Sequence, residues 1–264
     1  MPYSPPSFAL SVGRFGRLGL FLCAIAALSG CANQEDSGKG SNAVIDDMAR
    51  SAAQAADATN DFEAAAGNWN ILFQRHPDDP SLALRLARDL RYGGHLQQAI
   101  DVSAPFIERH GPSADMSAEL GKDYLAANRL GLAERTLRQA ADIAPADWRI
   151  LSALGVAIDY QGRHTEAEEA YARALTLSPD NPVLLNNLGL SQAQNGQLSQ
   201  ALSTLRRAVD QPAATAQVRQ NLALIEALSG DPEAAERLSR QDLPPEMARA
   251  NASYFKLLAG AQKP

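Results

Sequence analysis

Cysteine is nearly absent from this chain. Cys23 and Cys31 are the only two in 264 residues, so no disulfide can staple anything beyond residue 31. Aromatic residues make up only 6%, which argues against a β-sandwich, whose strands favour aromatic and β-branched side chains. The net charge is −6 and no basic block or stripe interrupts the sequence, so nucleic acid is excluded as an expected partner. No nucleophile elbow, glycine-rich nucleotide loop or paired-cysteine site is present. The four histidines, His76, His95, His110 and His164, never stand four residues apart, the spacing a helix needs to present two of them to one metal ion. These absences predict no catalytic residue, no metal, no cofactor and no small-molecule substrate. The longest apolar run, Leu18 to Leu28, has about half the length that crosses a bilayer.

Alanine is abundant instead, at about a fifth of a chain that is 45% hydrophobic. That composition suits closely packed helices. At the N-terminus, Arg14 and Arg17 precede the apolar run "LGLFLCAIAAL", and Ser29 and Gly30 then lead to Cys31. This order fits a secretory signal over residues 1–30. "LSGC" resembles the lipobox of bacterial lipoproteins. The resemblance implies cleavage before Cys31 and a covalent lipid on it, with Ala32 implying the outer membrane, facing the periplasm of a Gram-negative cell. An ordinary signal peptide cut near Ala27 or Gly30 would leave Cys31 incidental. Several acyl chains anchor a protein effectively for good, whereas one is marginal. Cleavage would remove two arginines and no acid, taking the net charge from −6 to −8, so attachment is expected to rest on lipid rather than on charge. Residues 31–45 read as the lipidated cysteine and a flexible tether. "SGKGS" within it lacks the upstream glycine and the strand of a phosphate loop.

The body repeats. Ala65, Ala99, Ala133, Ala167, Ala201 and Ala235 follow one another at 34-residue intervals. A second small series keeps the register: Ala53, Ala87, Gly121, Gly155, Gly189 and Ala223. The period and spacings resemble the tetratricopeptide repeat (TPR), two antiparallel helices per unit. The clearest copy is residues 148–181, with Leu151, Leu154 and Ile158 on one helix face, Ala167, Tyr171 and Ala174 on the other, and Gly162 at the turn. Gly155 and Ala167 are expected to let the paired helices approach closely, and Pro77, Pro145 and Pro179 to end helices. The expected fold is an all-α solenoid of about six units, 46–79, 80–113, 114–147, 148–181, 182–215 and 216–243, followed by a capping helix and tail over 244–264. In the cap, Met247, Ala250, Tyr254, Leu257 and Leu258 are expected to share the packing face.

In a stack of helix pairs, the first helices line the inner face. The register places Arg85, Arg88, Tyr92, Lys122, Arg149 and Tyr160 there, then the amides Asn186, Asn187, Gln220 and Asn221, with Leu190 and Leu224 as apolar anchors. The cations suit an acidic group, and amides can pair with a partner's backbone. Asn187 could equally bond the neighbouring helix.

Residues 218–258, through "RQNLAL", "DLPP" and the spacing of Ala248, Ala250, Asn251, Tyr254 and Leu258, resemble the end of TadD-type lipoproteins of the Flp/tight-adherence (Tad) pilus system. The resemblance implies a non-enzymatic outer-membrane scaffold for pilus assembly that helps the secretin form or localise through protein–protein binding. Two alternatives stay open on the sequence: a TPR pilotin of type IV pili, or a general envelope adaptor that recruits periplasmic proteases or cell-wall enzymes.

Overall fold

The computed structural model describes residues 36–261, so the signal segment and Cys31 lie outside the described residues. The chain divides into two compact units, residues 1–42 and 43–264. Of the first, only the helical residues 36–42 are described.

Thirteen helices and no strand are found among the described residues. They run α1 (Asp36–Ala58), α2 (Phe62–Arg75), α3 (Pro80–Tyr92), α4 (Leu96–His110), α5 (Ala114–Ala126), α6 (Leu130–Ile143) and α7 (Trp148–Asp159). Then follow α8 (His164–Leu177), α9 (Pro182–Gln194), α10 (Leu198–Val209), α11 (Ala216–Leu228), α12 (Pro232–Ser239) and α13 (Pro245–Ala261). The protein is an all-α, TPR-like solenoid. Residues 36–45, expected as slack tether, are helical and form the start of α1. Once the alanine-rich turns of α1 are fixed by packing through Ala49 and Ala53, each further residue propagates the helix without a new nucleation cost.

Local chemistry repeats with the same 34-residue interval. Asp79, Ser113, Asp147, Asn181 and Thr215 are the N-caps of α3, α5, α7, α9 and α11. In the first four, the side-chain oxygen accepts from an N–H of the first helical turn. The turn inside each pair uses one left-handed residue, again 34 apart: Asn60, Gly94, Asn128, Gly162, Gly196 and Gly230. Glycine and asparagine enter that region most readily. The helices before Pro77, Pro145 and Pro179 end at Arg75, Ile143 and Leu177, two residues short of each proline.

Packing explains the small series. A Cβ added at Gly155 would stand 2.5 Å from Cε1 of Tyr171, and one at Gly121 would stand 2.5 Å from Cγ of Leu137. The first helix of each of these pairs presents bare backbone so that a large side chain sixteen positions on can lie flat against it. Tyr171 and Leu137 are accordingly almost wholly buried. The central core gathers Leu137, Leu151, Leu154, Ile158, Tyr171 and Leu184, and a second core surrounds Trp69.

Neighbouring first helices, α3 with α5, α5 with α7, α7 with α9 and α9 with α11, are in backbone contact. Among the described residues no such contact joins neighbouring second helices. Side chains bridge that wider side instead, as where Arg138 of α6 pairs with Glu166 of α8. The first helices therefore form the inner face.

The last helix packs differently from the expectation. Ala248 and Ala252 are buried, and Phe255 lies against Ala223, Ala227 and Ala235 of α11 and α12. Met247, Ala250, Tyr254 and Leu257 point away. The neighbouring surface is itself alanine-lined, so α13 approaches most closely with its own alanines inward.

Candidate protein-binding face

Two clefts open among the first helices. One, of about 400 Å³, lies between α3, α5 and α7 and brings together Arg85, Arg88, Lys122 and Arg149. These four were expected on one face, and the structure brings them to one cleft. Its charge is not simply cationic, because Asp115, Glu119 and Asp147 line it too. Arg88 is committed: its Nη2 donates to Asp57 at 2.9 Å and its Nε to Asp89 at 2.7 Å. Asp89 is fully buried, so a guanidinium beside it offsets a large desolvation cost. Burial first, and the Asp57 carboxylate with it, still push Asp89 above its ordinary value, against the opposing pull of Arg88. Lys122 Nζ stands 3.3 Å from Glu119. Arg149 folds back on its own helix cap, donating twice to Asp147, yet remains mostly exposed. The Arg85 guanidinium lies 5.0 Å over the Trp69 ring, a cation–π arrangement on a residue that is itself exposed.

Tyr92 does not join this cleft. It sits at the end of α3, its ring 4.9 Å from Phe62 and 4.6 Å from the Arg91 guanidinium. The helix is long enough to carry it past the cleft into the inter-helix turn.

The second cleft, of about 640 Å³, lies between α7 and α9 and includes Val156, Asp159, Tyr160, His164, Asn187 and Leu190. Tyr160 is 70% exposed and presents both an aromatic face and a hydroxyl. Leu190 supplies an apolar wall as expected, whereas Leu224 is partly buried against the Leu222–Ile225 cluster and is held by the core.

The amides behave otherwise than expected. Asn221 Nδ2 donates to Asn186 Oδ1 at 2.8 Å, and Asn186 Nδ2 lies 3.4 Å from Asn187 Oδ1. Asn187 Nδ2 in turn reaches Ser152 Oγ at 3.4 Å, while Gln217 donates to Asn221 at 3.2 Å. The chain of bonds crosses α7, α9 and α11, so these groups bind neighbouring repeats rather than standing free for a partner. Gln220 likewise accepts from Ser239 of α12 at 3.2 Å. The asparagines find their partners on the adjacent first helices, as buried polar groups generally must, whereas Gln220 is met from α12.

Sequence reading missed a buried polar strut between α3, α4 and α5. Arg91 donates to Glu119 at 2.6 Å and to Asp123 at 3.1 Å, and Ser103 donates to Asp123 at 3.0 Å. Asp123 is pushed up to about 7, chiefly by burial and then by Glu119, against the opposing Ser103 and Arg91. A signal existed, since Asp89 and Asp123 occupy the same repeat position as Ala157. Two junctions further along, His164 Nδ1 lies 2.6 Å from Asp159, and Ser191 donates to the same carboxylate at 2.9 Å. The serine bonds the carboxylate and the His164 carbonyl, not the imidazole, so this trio ties units together rather than forming a nucleophile relay. Among the described residues, no group of three or more His, Cys, Asp or Glu could hold a metal, and no helix is long and apolar enough to cross a membrane.

Two family models, each described as Tetratricopeptide repeat, match residues 118–182 and 160–225. No curated protein matches. Among solved structures, TTC0263, a thermophilic TPR protein of Thermus thermophilus, is 18% identical with a TM-score of 0.57, over 66% of this chain and 97% of that one. MamA of Desulfovibrio magneticus RS-1 is 20% identical with a TM-score of 0.54, over 63% of this chain and 94% of that one. The APC/C hetero-tetramer Cut9–Hcn1 is 17% identical with a TM-score of 0.57, over 76% and 36%. At these identities the likeness is one of fold. The family models place tetratricopeptide repeats within residues 118–225 of a TPR-like solenoid, and such repeats imply a scaffold for protein–protein interaction.

Proposed function

We propose that this scaffold is a lipoprotein anchored through Cys31 to the outer membrane and serving Flp/Tad pilus biogenesis, where it helps the secretin assemble or localise. The observation that carries the binding role is the inner face from α3 to α9. Its two clefts present Arg85, Lys122, Arg149 and Tyr160 beside apolar walls at Leu84, Ile150, Val156 and Leu190. Cations, one aromatic and apolar floors suit an extended or helical protein segment that carries an acidic group. The assignment to pilus assembly rests on the C-terminal resemblance through "RQNLAL", "DLPP" and the Ala248–Leu258 pattern, and the anchor rests on "LSGC". A lipid anchor would confine the clefts to the periplasmic leaflet and raise their effective concentration for a secretin subunit.

Deleting the gene tests this reading. The expected result is loss of Flp pili and of heat-resistant secretin multimers, with cell shape unchanged. Normal pili and multimers, with wall or morphology defects instead, would replace it with the general envelope adaptor.

A further inference from the structure

The outward face of α13 has the pattern of an interhelical seam. Met247, Ala250, Tyr254 and Leu257 are spaced 3, 4 and 3 residues apart, the alternation that keeps one stripe facing a partner helix in a coiled coil. All four are exposed: Met247 by 53%, Tyr254 by 50% and Leu257 by 72%, with Ala250 between them. The opposite side of the helix is already occupied, since Ala248, Ala252 and Phe255 pack on α11 and α12. Large apolar side chains have thus been left in water on a helix that is otherwise docked. Three on one face make a patch rather than isolated exposed residues.

The stripe is complementary to itself when reversed. Turned end for end about its midpoint at residue 252, it places Met247 opposite Leu257 and Ala250 opposite Tyr254. Each layer then pairs side chains of compatible volume, with tyrosine over alanine in the inner layers. A parallel pairing would set Tyr254 on Tyr254 and Ala250 on Ala250, alternating bulge and gap. Charge does not oppose this choice, because antiparallel copies hold the two Glu246 carboxylates at opposite ends of a seam about 15 Å long.

We infer that a second copy of this chain docks on α13, making a two-fold dimer through antiparallel Met247–Leu257 and Ala250–Tyr254 layers. The same patch meets itself, as a closed two-fold interface requires. The proposal depends neither on the anchor nor on the pilus assignment.

Cysteine cross-linking of the full chain tests it. One copy carries Ala250→Cys and a differently tagged, co-expressed copy carries Tyr254→Cys, with the unmodified chain setting the background from Cys23 and Cys31. The expected result is a mixed-tag disulfide dimer in excess of either same-site dimer. Leu257→Asp in both copies should abolish that band while the chain keeps its helical signal and still unfolds cooperatively. No mixed dimer above background, same-site dimers in excess, or a band that survives Leu257→Asp would each overturn the proposal.

Discussion

Asn221 of α11 donates from Nδ2 to Oδ1 of Asn186 in α9 across 2.8 Å. The amide ladder that begins there holds successive first helices side by side on the inner face. Removing one rung leaves a buried amide without its partner, which costs about 1–3 kcal/mol. Asn221→Ala should therefore lower the denaturant midpoint. A double-mutant cycle with Asn186→Ala should recover part of the loss, because the second truncation removes the orphaned carbonyl. Additive losses would show that the two amides act separately.

Gly155 faces the Tyr171 ring with no space for a methyl group. Gly155→Ala gains about 1 kcal/mol of helix propensity, but forcing a Cβ into a packed contact costs about 1–3 kcal/mol. Net destabilisation is expected by thermal unfolding. Gly67, where an added Cβ meets nothing within 4 Å, is the control: Gly67→Ala should stabilise. Equal effects at the two sites would contradict the close-approach explanation.

Asp123 gives the stability curve a definite sign. Burial and Glu119 raise its carboxyl to about 7 in the folded state, from 3.8. Between those values the folded chain holds a proton the unfolded chain has released, so this group's contribution is full below about pH 4 and declines as pH rises toward 7. The slope reaches at most about 1.4 kcal/mol per pH unit. Glu134 runs the other way. Burial raises it, but hydrogen bonds from Arg138, Gln161 and Arg163 outweigh that and hold it at about 2, so its contribution is present above pH 4.5 and fades as pH falls toward 2. Denaturation of Asp123→Asn from pH 4 to 8 should show a less negative dependence on pH than the parent chain. An unchanged slope would remove Asp123 as its source.

Cys31→Ser separates anchoring from folding. With "LSGC" altered to lack its thiol, acyl labelling and sedimentation with membranes are expected to be lost, while the solenoid keeps its helical signal. Retained labelling would rule out Cys31 as the lipid site.

The repeat architecture was legible because each structural need recurs at a fixed interval. Caps at Asp79, Asp147 and Asn181, turns at Gly162 and Gly196, and close approaches at Gly155 and Gly189 all follow one register. What was hidden depends on distances between units. Register alone put Asn186 and Asn221 on the inner face, but only three-dimensional spacing shows that they reach each other first. Arg88 looked free until Asp57, thirty-one residues earlier, came within 2.9 Å. The orientation of α13 was misread for a related reason. Hydrophobicity pointed Met247 and Tyr254 inward, whereas the alanine-lined surface of α11 and α12 admitted Ala248 and Ala252 instead.

The most direct measurement is complementation of the deletion strain with a cleft variant. Tyr160→Ala combined with Arg149→Gln alters two exposed side chains outside the cores, and the variant should keep its helical signal and its level in cells. The scaffold reading predicts that this variant fails to restore secretin multimers and pili, whereas the unaltered gene restores both. Full restoration by the folded variant would contradict a role for the inner face in holding the partner.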